Sequence, residues 1–278
     1  MSEKALVKFI RQSDNWGRFI AEPLERGFGA TLGNALRRVL LSSLEGATVT
    51  SVRFEGVAHE FSAIPNVVED ILDIIFNVKE LVFRSYTSEP KVLKISASSK
   101  GKVTAADIQH DAEIEIINTE HVIATLSDKA KLNMELEVET GVGYRPAEAN
   151  KKADQSVGTI PIDATFSPIR KVNFTVDEVR VGEQIGFDRL VLDVWTNGAI
   201  TPDEALKRAV NILIGQFQLF LDLNKKATSK EVKKVSSEED QKKQILEMSI
   251  EDLELSARSY NCLKKAGVNS VKEILEIS

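Results

Sequence analysis

Alternating apolar and charged residues open the chain, and this alternation predicts two β-strands within residues 6–22. The runs LVKFI and GRFIAE are short, mix apolar with charged residues and are punctuated by Gly17, which is typical of strands. Pro23 ends the second run, because proline cannot donate a hydrogen bond to a strand ladder. A helix is then expected from Thr31 to about Leu44, with Thr31 as its N-cap residue.

The apolar positions of this helix recur at about 100° per residue. They form one stripe that we expect to face the core: Leu32, Leu36, Val39 and Leu40. The opposite face carries Asn34, Arg38 and Leu41. An arginine beside an exposed leucine is a mixture found at partner interfaces, although an ordinary solvated face is the alternative.

Residues 46–166 alternate short apolar runs with turns, which is typical of a strand-rich region. Six runs predict strands: ATVTSVRFE, LVFRSY, KVLKISA, AEIEII, VIATL and KLNMELEVE. One helix interrupts them, with Asn66 as the expected cap and Glu69 completing a capping box. Its predicted buried stripe consists of Ile71, Leu72, Ile75 and Val78. We therefore predict an α+β fold.

Two further strands and a long helix follow residue 168. The strands are expected in RKVNFTVDEVRVG and DRLVLDVWT. Thr201 is the predicted helix cap, Pro202 the first helical residue, and Glu204 the acid that reaches back to the cap amide. The helix is expected to end near Leu223.

This long helix has two neighbouring apolar stripes. The first comprises Leu206, Ala209, Val210, Leu213, Phe217 and Phe220, and the second Ala205, Ile212, Leu219 and Leu223. One sheet cannot cover so wide an apolar surface. The helix therefore either lies in the centre of a large core or buries its second stripe in another subunit, together with the helix at 31–44.

Residues 225–243 carry no aromatic side chain and little that could be buried, so they predict a flexible linker. A coil of this length spans roughly 25 Å. A small helical piece is expected after it, because Ser249 and Ser270 are each followed, three residues on, by an acid that suits a capping box. Gly267 lies where the first of these helices should end.

The composition is that of an ordinary globular protein with an acidic balance. The 278 residues are 42% apolar and 28% charged, and the formal net charge is −6. This balance argues against indiscriminate binding to nucleic acid and leaves only a local patch. The single cysteine, Cys262, excludes an intramolecular disulfide and a multi-cysteine zinc site. With no run of about 18 apolar residues and no signal peptide, we expect a cytoplasmic protein.

The sequence shows no catalytic motif, and we expect no cofactor and no catalytic residue in this protein. His59, His110 and His121 are scattered and lack the spacing of metal ligands. They are therefore interpreted as surface histidines or as hydrogen-bonded core histidines. The acidic residues are too diffuse to identify a catalytic carboxylate pair.

One glycine cluster suggests a different kind of protein. Gly27, Gly29 and Gly33 lie between a strand and a helix, where nucleotide-binding turns occur. The spacing departs from G-x-G-x-x-G, and turn geometry with close helix packing at Gly33 explains it equally well. A stand-alone nucleotide-binding enzyme using this turn is the alternative function.

Near the end, Arg258, Asn261, Lys264 and Lys265 cluster at helical spacing. They form either a solvated face or a small contact patch for phosphates and base edges.

Several long motifs, spread over almost the whole sequence, resemble the alpha-subunit family of bacterial-type RNA polymerases. They are EPLERGFGATLGNALRRVLLSS at 22–43, GVAHEF at 56–61, VTAADI at 103–108, GVGY at 141–144, DATFSP at 163–168, TNGAITPDEA at 196–205 and LELSARSYNCLK at 253–264.

The resemblance implies an assembly scaffold. Members of the family form a homodimer on which the large beta and beta-prime subunits assemble, and catalysis lies in those subunits. It implies a dimerisation subdomain made of residues 1–45 and 167–223, with residues 46–166 inserted as a second α+β subdomain. Residues 224–244 would be a flexible linker, and residues 245–278 a short, incomplete C-terminal helical domain. The implied location is the bacterial cytosol or the plastid stroma.

The resemblance also implies roles for individual residues. Dimerisation is assigned to Leu32, Leu36, Val39, Leu206, Val210, Leu213, Phe217 and Phe220. Arg38, Leu41 and Lys79 match family positions that contact beta. Segment 166–190 resembles the region that faces beta-prime, where the family often has an arginine at the position of Ile185.

The last part of the sequence matches the family's C-terminal domain, which contacts promoter DNA and transcription activators. Arg258, Asn261, Cys262 and Lys264 match its DNA-contacting helix. In the family this domain continues into a helix-hairpin-helix-like element, whereas the present sequence reaches Ser278 just after the second helix. Two helices of about 30 residues fall below the roughly 40 at which a domain usually folds unaided, so we expect weak DNA binding.

Overall fold

The computed structural model describes residues 6–57, 59–152, 155–156, 158–181 and 184–221, apart from the side chains of residues 11, 184 and 185. The predicted linker and the predicted C-terminal helical piece lie outside the described residues. Those up to Ile214 belong to one compact unit.

Strands dominate the described part of the protein, and the α+β class is confirmed. The strands are β1 (Leu6–Ser13), β2 (Trp16–Leu24), β3 (Glu45–Phe54), β4 (Phe83–Ser85), β5 (Lys91–Ala97), β6 (Gly101–Thr104), β7 (Ile108–Gln109), β8 (Ile114–Ile116), β9 (Val122–Leu126), β10 (Leu132–Val142), β11 (Tyr144–Arg145), β12 (Thr159–Pro161), β13 (Ala164–Thr165), β14 (Ile169–Val181) and β15 (Gln184–Thr196). The helices are α1 (Phe28–Ser42), α2 (Ile71–Lys79), α3 (Ala147–Asn150) and α4 (Pro202–Leu221), with a 3-10 turn at Ala105–Asp107.

Sheet I is antiparallel and has the strand order β1-β2-β15-β14. It joins the first two described strands to the last two, since β2 pairs with β15. Leu190, Leu192 and Val194 alternate along β15 on the buried face, as the two-residue period of a strand requires. Helix α1 packs against β14 and β15. The buried side chains of sheet I form one core with Leu40 of α1 and with Ala205 and Ala209 of α4.

Sheet II has seven strands in the order β7-β5-β10-β3-β4-β8, with β12 added to β3. Helix α2 packs against this second core through Ile71, Ile74 and Val78. The outward side chains are charged and paired across strands, as Arg53 and Glu135 are. Such pairing keeps the solvent face of an antiparallel sheet polar.

The backbone enters and leaves the segment that forms sheet II at adjacent points. A Cβ atom added at Gly46 would lie 2.0 Å from the Phe166 carbonyl oxygen, so only glycine allows the two backbones to approach this closely. All strands of sheet II fall between residues 45 and 161, and those of sheet I at 6–24 and 169–196. The predicted subdomain boundaries at 45/46 and 166/167 stay predictions.

The predicted start of α1 is wrong. The helix begins at Phe28, and Gly27 occupies the N-cap position. Thr31 lies inside the first turn, where its hydroxyl donates to the Gly27 carbonyl oxygen at 3.1 Å. The cap comes instead from Asp188, whose carboxylate accepts the amide of Gly27. A threonine near a helix start is a local signal, whereas Asp188 is brought there only by folding.

The predicted cap of α2 is also wrong. Asp70 caps the helix by accepting the amide of Asp73 at 2.8 Å. Glu69 is not part of a capping box, because its carboxylate accepts the amide of Thr125 at 2.6 Å. Asn66 has a φ of 63° and lies in the preceding turn. In the buried stripe, Ile74 is fully covered and Leu72 only partly.

The predicted start of α4 at Pro202 is confirmed. Glu204 pairs with Arg208 one turn later, at 2.5 Å, instead of reaching back to the cap. The described part of the helix extends to Leu221, and the predicted end at Leu223 lies outside the described residues. No helix in the described ranges is both long and apolar enough to cross a membrane.

Candidate subunit interface

Helix α1 exposes apolar side chains on one flank. Phe28 is 50% exposed and Leu32 39% exposed, and their spacing of one helical turn places them on the same face. The prediction that Leu32 faces the core is wrong. Gly33 takes the closest position to sheet I, since a Cβ atom there would lie 2.5 Å from the Phe174 ring. The backbone of α1 therefore lies so near the sheet that Leu32 is displaced to the flank.

The remaining residues of the predicted α1 stripe lie between the core and this flank. Leu40 is buried, and Leu36 and Val39 are half-buried against the core of sheet I. Leu36 and Val39 therefore contact the core on one side and border the exposed flank of Phe28 and Leu32 on the other.

A second, separate face of α1 carries both polar and apolar side chains. Asn34, Arg38 and Leu41 are all exposed, and the helical period places them away from Phe28 and Leu32. The neighbouring Arg37 is engaged within its own subunit, because its guanidinium lies 5.4 Å from the Phe174 ring centre and donates to Asn34 at 3.2 Å. Helix α1 thus has a sheet-facing side and two solvent-facing surfaces.

Helix α4 is buried only along its first half. Ala205 and Ala209 are buried, and Leu206, Ile212 and Leu213 are half-buried. Beyond them the apolar side chains are exposed, Phe217 at 63% and Phe220 at 70%. Val210 and Ile214 are exposed as well. Among the described residues, nothing covers the apolar side chains on the later turns of this helix.

Lys79 is the last residue of α2. Its ammonium lies 2.7 Å from the Asp163 carboxylate and 5.9 Å from the Phe76 ring centre. The Lys79 hydrogen bond holds the pKa of the Asp163 carboxyl below its ordinary value, although partial burial of that carboxyl opposes the shift. A partner that binds Lys79 has to share or replace this ion pair.

The glycine turn before α1 is already filled. The Asp188 carboxylate, which is only 6% exposed, accepts the amides of Gly27 at 2.8 Å and of Gly29 at 3.0 Å. These are the donors that a nucleotide phosphate would need at a helix N-terminus. Gly33 is occupied by packing against sheet I. The nucleotide-binding alternative is therefore not supported.

The three histidines do not form a common site in the described part of the protein. His59 is exposed and lies 3.1 Å from the Ser62 hydroxyl. His110 is exposed near the Asp111 carbonyl oxygen. His121 is half-buried, with Nε2 2.9 Å from the Asn77 carbonyl oxygen at the end of α2.

Two groups of predicted contact residues cannot be placed. Segment 166–190 contains β14 and the first half of β15, but the side chain of Ile185 lies outside the described residues. The predicted DNA-contacting residues Arg258, Asn261, Cys262 and Lys264 also lie outside them. Their roles stay predictions.

Sequence reasoning missed the exposed Phe28 and the buried Asp188. The signal for Phe28 was present, because Phe28 and Leu32 have the i, i+4 spacing of one helix face once the helix is started at the right residue. No local signal could identify Asp188, which lies 161 residues from Gly27 in the sequence.

Comparison with known proteins gives a consistent result along the sequence. Residues 52–167 match the family described as "RNA polymerase Rpb3/RpoA insert domain", and residues 236–278 match the family of the C-terminal domain of the bacterial RNA polymerase alpha subunit. The protein is 53% identical over 276 residues to the DNA-directed RNA polymerase subunit alpha of Moorella thermoacetica, covering 99% of this sequence and 88% of the relative. The same-named protein of Carboxydothermus hydrogenoformans is 50% identical over 274 residues, covering 99% and 87%. That of Staphylococcus saprophyticus is 50% identical over 278 residues, covering 99% and 88%.

Proposed function

This chain belongs to the alpha-subunit family of bacterial DNA-directed RNA polymerases, and we propose that it acts as a homodimeric scaffold on which the beta and beta-prime subunits assemble in the cytoplasm. In the following, "the insert" means residues 46–166, and "the dimerisation subdomain" means residues 1–45 with 167–223.

The observation that carries the proposal is that α1 and, separately, the last described turns of α4 each leave apolar side chains uncovered. Phe28 and Leu32 on α1, with Phe217 and Phe220 on α4, are large apolar side chains that a monomer would leave in water. Burial of such side chains favours association, because removing apolar area from water is favourable and only the excess over the lost freedom of the protomers appears as affinity. A second copy of the protein presents the same side chains, and a two-fold axis brings identical surfaces together. We therefore assign both sets of side chains to the homodimer, together with Leu36, Val39, Leu206, Val210 and Leu213.

A different partner suits the second face of α1. Arg38 and Leu41 remain solvent-facing on the side away from Phe28 and Leu32, so a dimer formed through the apolar flank leaves them accessible. An arginine next to a leucine offers both an ionic and an apolar contact, which is the composition of a protein interface. We assign this face, with Lys79, to the beta subunit, and segment 166–190 to beta-prime.

Catalysis is assigned to the large subunits, and the alpha subunit is proposed to supply no catalytic residue. The glycine turn before α1 supports this assignment, because its amides bind Asp188. The protein would thus contribute to the nucleotidyltransferase by positioning other subunits.

Residues 236–278 are proposed to contact upstream promoter DNA and activators, since they match the C-terminal domain of bacterial alpha subunits. Arg258, Asn261, Cys262 and Lys264 are the residues proposed for the DNA contact. Fluorescence anisotropy with an A·T-rich duplex tests this role. Replacing Arg258 by alanine should weaken binding and reduce its dependence on salt, because each phosphate contact contributes to the salt slope.

The scaffold proposal is tested by two measurements on the full-length protein. Size-exclusion chromatography with light scattering should give the mass of two 30.8-kDa protomers. Co-expression with the beta subunit of the same polymerase should yield a complex that survives purification. A monomer at micromolar concentration, or a dimer that never retains beta, contradicts the proposal.

A further inference from the structure

Arg84 joins the insert to the turn that leads into α4. It lies in β4, and its Nε atom donates to the Ala199 carbonyl oxygen at 2.8 Å. Nη2 donates to the Gly198 carbonyl oxygen at 3.3 Å. One guanidinium thus binds two successive backbone carbonyls of the dimerisation subdomain. A planar fork of donors makes arginine suited to this contact, whereas a lysine ammonium is a single point charge.

The insert holds the guanidinium from its own side. Arg84 and Glu115 are directly opposite on β4 and β8, and Nη1 of Arg84 donates to the Glu115 carboxylate at 2.9 Å. The Tyr86 hydroxyl donates to the same carboxylate at 2.9 Å. These contacts restrict the rotamers of Arg84, so less side-chain entropy is lost when it binds the turn.

The turn that receives Arg84 is itself held in place. Asn197 accepts the amide of Ala199 at 3.0 Å, which closes the turn on its own side chain. Gly198 has a φ of 102°, a conformation that a side chain would strain. A Cβ atom there would also lie 3.2 Å from Ile117 of the insert. Ile200, directly after the turn, is buried in the core of sheet I.

The contact of Arg84 with residues 198–199 bears on how freely the insert can rotate relative to the dimerisation subdomain. The backbone connects the two subdomains at adjacent points, near Gly46 and Phe166, and two adjacent connections resemble a hinge. The contact of Arg84 with residues 198–199 lies close to these connections, because its neighbour Phe83 is paired with Ala47, the residue after Gly46. It ties the insert to a third stretch of backbone, which opposes rotation about the two connections.

We infer that Arg84 is a positioning residue, which fixes the angle between the insert and the dimerisation subdomain and so presents Arg38, Leu41 and Lys79 to one partner in a single arrangement. The inference rests on the proposed function, because Arg38 and Leu41 lie on the dimerisation subdomain and Lys79 on the insert. If the angle varied, a partner that binds both would have to order the two subdomains first, and that ordering weakens binding.

The test measures the angle directly. The test uses the full-length protein with Cys262 replaced by serine and with spin-labelled cysteines at two exposed positions, Ser98 in the insert and Thr175 on β14. Pulsed electron paramagnetic resonance then measures the distance between the two labels, and so between the two subdomains. Labelled protomers are diluted with unlabelled ones, so that distances between protomers do not contribute. We expect a narrow distribution for the parent and a broader or shifted one for Arg84→Gln.

Arg53→Gln is the matched control. Arg53 is also an arginine of sheet II paired with a carboxylate directly opposite, Glu135, and this ion pair lies entirely within the insert. Arg53→Gln should therefore leave the distribution of distances between the labels unchanged. Arg84→Lys keeps the charge near Glu115 but lacks the rigid planar fork that reaches Glu115 and both carbonyls at once, so it should broaden the distribution as the glutamine does. If Arg84→Gln fails to fold, Arg84→Lys provides the test in its place.

Binding of beta to the dimer then separates the two proposals. Arg84→Gln should weaken it about tenfold through the lost preorganisation, with the dimer mass unchanged. Unchanged distances in both Arg84 variants would overturn the inference even if beta binds. A parent protein that binds no beta would instead overturn the proposed function, while the distances still decide whether Arg84 fixes the angle.

Discussion

The Oδ2 atom of Asp188 lies 3.0 Å from the backbone nitrogen of Gly29, 159 residues earlier in the sequence. The same oxygen accepts the amide of Gly27 at 2.8 Å. A strand near the end of the described residues thereby anchors the first turn of the helix that carries both proposed interfaces. A negative charge at this place also complements the positive end of the helix dipole.

Replacing Asp188 by alanine should lower the free energy of unfolding by about 2 kcal/mol, because two helix amides lose a buried, charged acceptor. An amide side chain at this position keeps one acceptor oxygen, so Asp188→Asn should cost less. Urea unfolding at one fixed protein concentration measures both. Asp177→Ala, an exposed change on the adjacent strand, is the control and should stay within about 0.5 kcal/mol. An equally stable Asp188→Ala would show that the helix is anchored elsewhere.

Replacing Phe217 by aspartate should convert the dimer to a folded monomer. The side chain is exposed in the single protomer, so the fold tolerates the change, but the dimer would bury an unpaired charge at a cost of several kcal/mol. Light scattering should then give the mass of one 30.8-kDa protomer, with an unchanged circular dichroism spectrum. Gln218→Asp adds the same charge on the neighbouring polar position and should remain a dimer. A dimeric Phe217→Asp would contradict the assigned surface.

Replacing Arg38 by alanine should abolish retention of beta and leave the dimer intact. The residue is exposed, so stability should change by no more than about 0.5 kcal/mol. Co-purification of beta and the thermal midpoint are the two measurements. Arg37→Ala is a matched control, because Arg37 contacts Phe174 and Asn34 of its own protomer. It should lose some stability and retain beta. An unfolded Arg38→Ala would instead identify Arg38 as a structural residue.

The ion pair of Lys79 and Asp163 should make stability depend on pH in the acid range. Because folding lowers the pKa of Asp163, the pair stabilises the fold above the ordinary aspartate pKa of about 3.9. That contribution is lost as the pH falls through the lowered value. Asp163→Asn and Lys79→Gln should both reduce stability at neutral pH and flatten its decline between about pH 5 and pH 2. A decline as steep as that of the parent in both variants would contradict this assignment.

Much of the fold follows from local patterns. Short apolar runs bounded by turns located the long strands of both sheets, and the Thr201-Pro202 signal located the start of α4. The start of α1 did not follow, because its cap comes from Asp188 at long range. Leu32 was assigned to the wrong side for a related reason. The close approach of Gly33 to Phe174 depends on tertiary packing, which a helical period does not contain.

The exposed face of the candidate interface could be predicted from the sequence, whereas its long-range contacts could not. The spacing of Arg38 and Leu41 indicated an exposed mixed face, and both residues are exposed. The ion pair of Lys79 with Asp163 and the contact of Arg84 with residues 198–199 join segments more than 80 residues apart. Lys79 meets Asp163 only after the insert has folded, and Arg84 meets residues 198–199 only after both sheets have formed. No motif in the separate segments therefore indicates either contact.

The close passage of Gly46 and Phe166 has a consequence for how such a protein can be altered. Because the two ends of the segment between them are adjacent, a different segment in its place would have to bridge only the width of a tight turn. Sheet I is closed by strands from both ends of the described residues, so its register does not depend on pairing with this segment. A shortened or exchanged segment should therefore leave the pairing of sheet I intact and disturb chiefly the turn at residues 198–199 that Arg84 contacts.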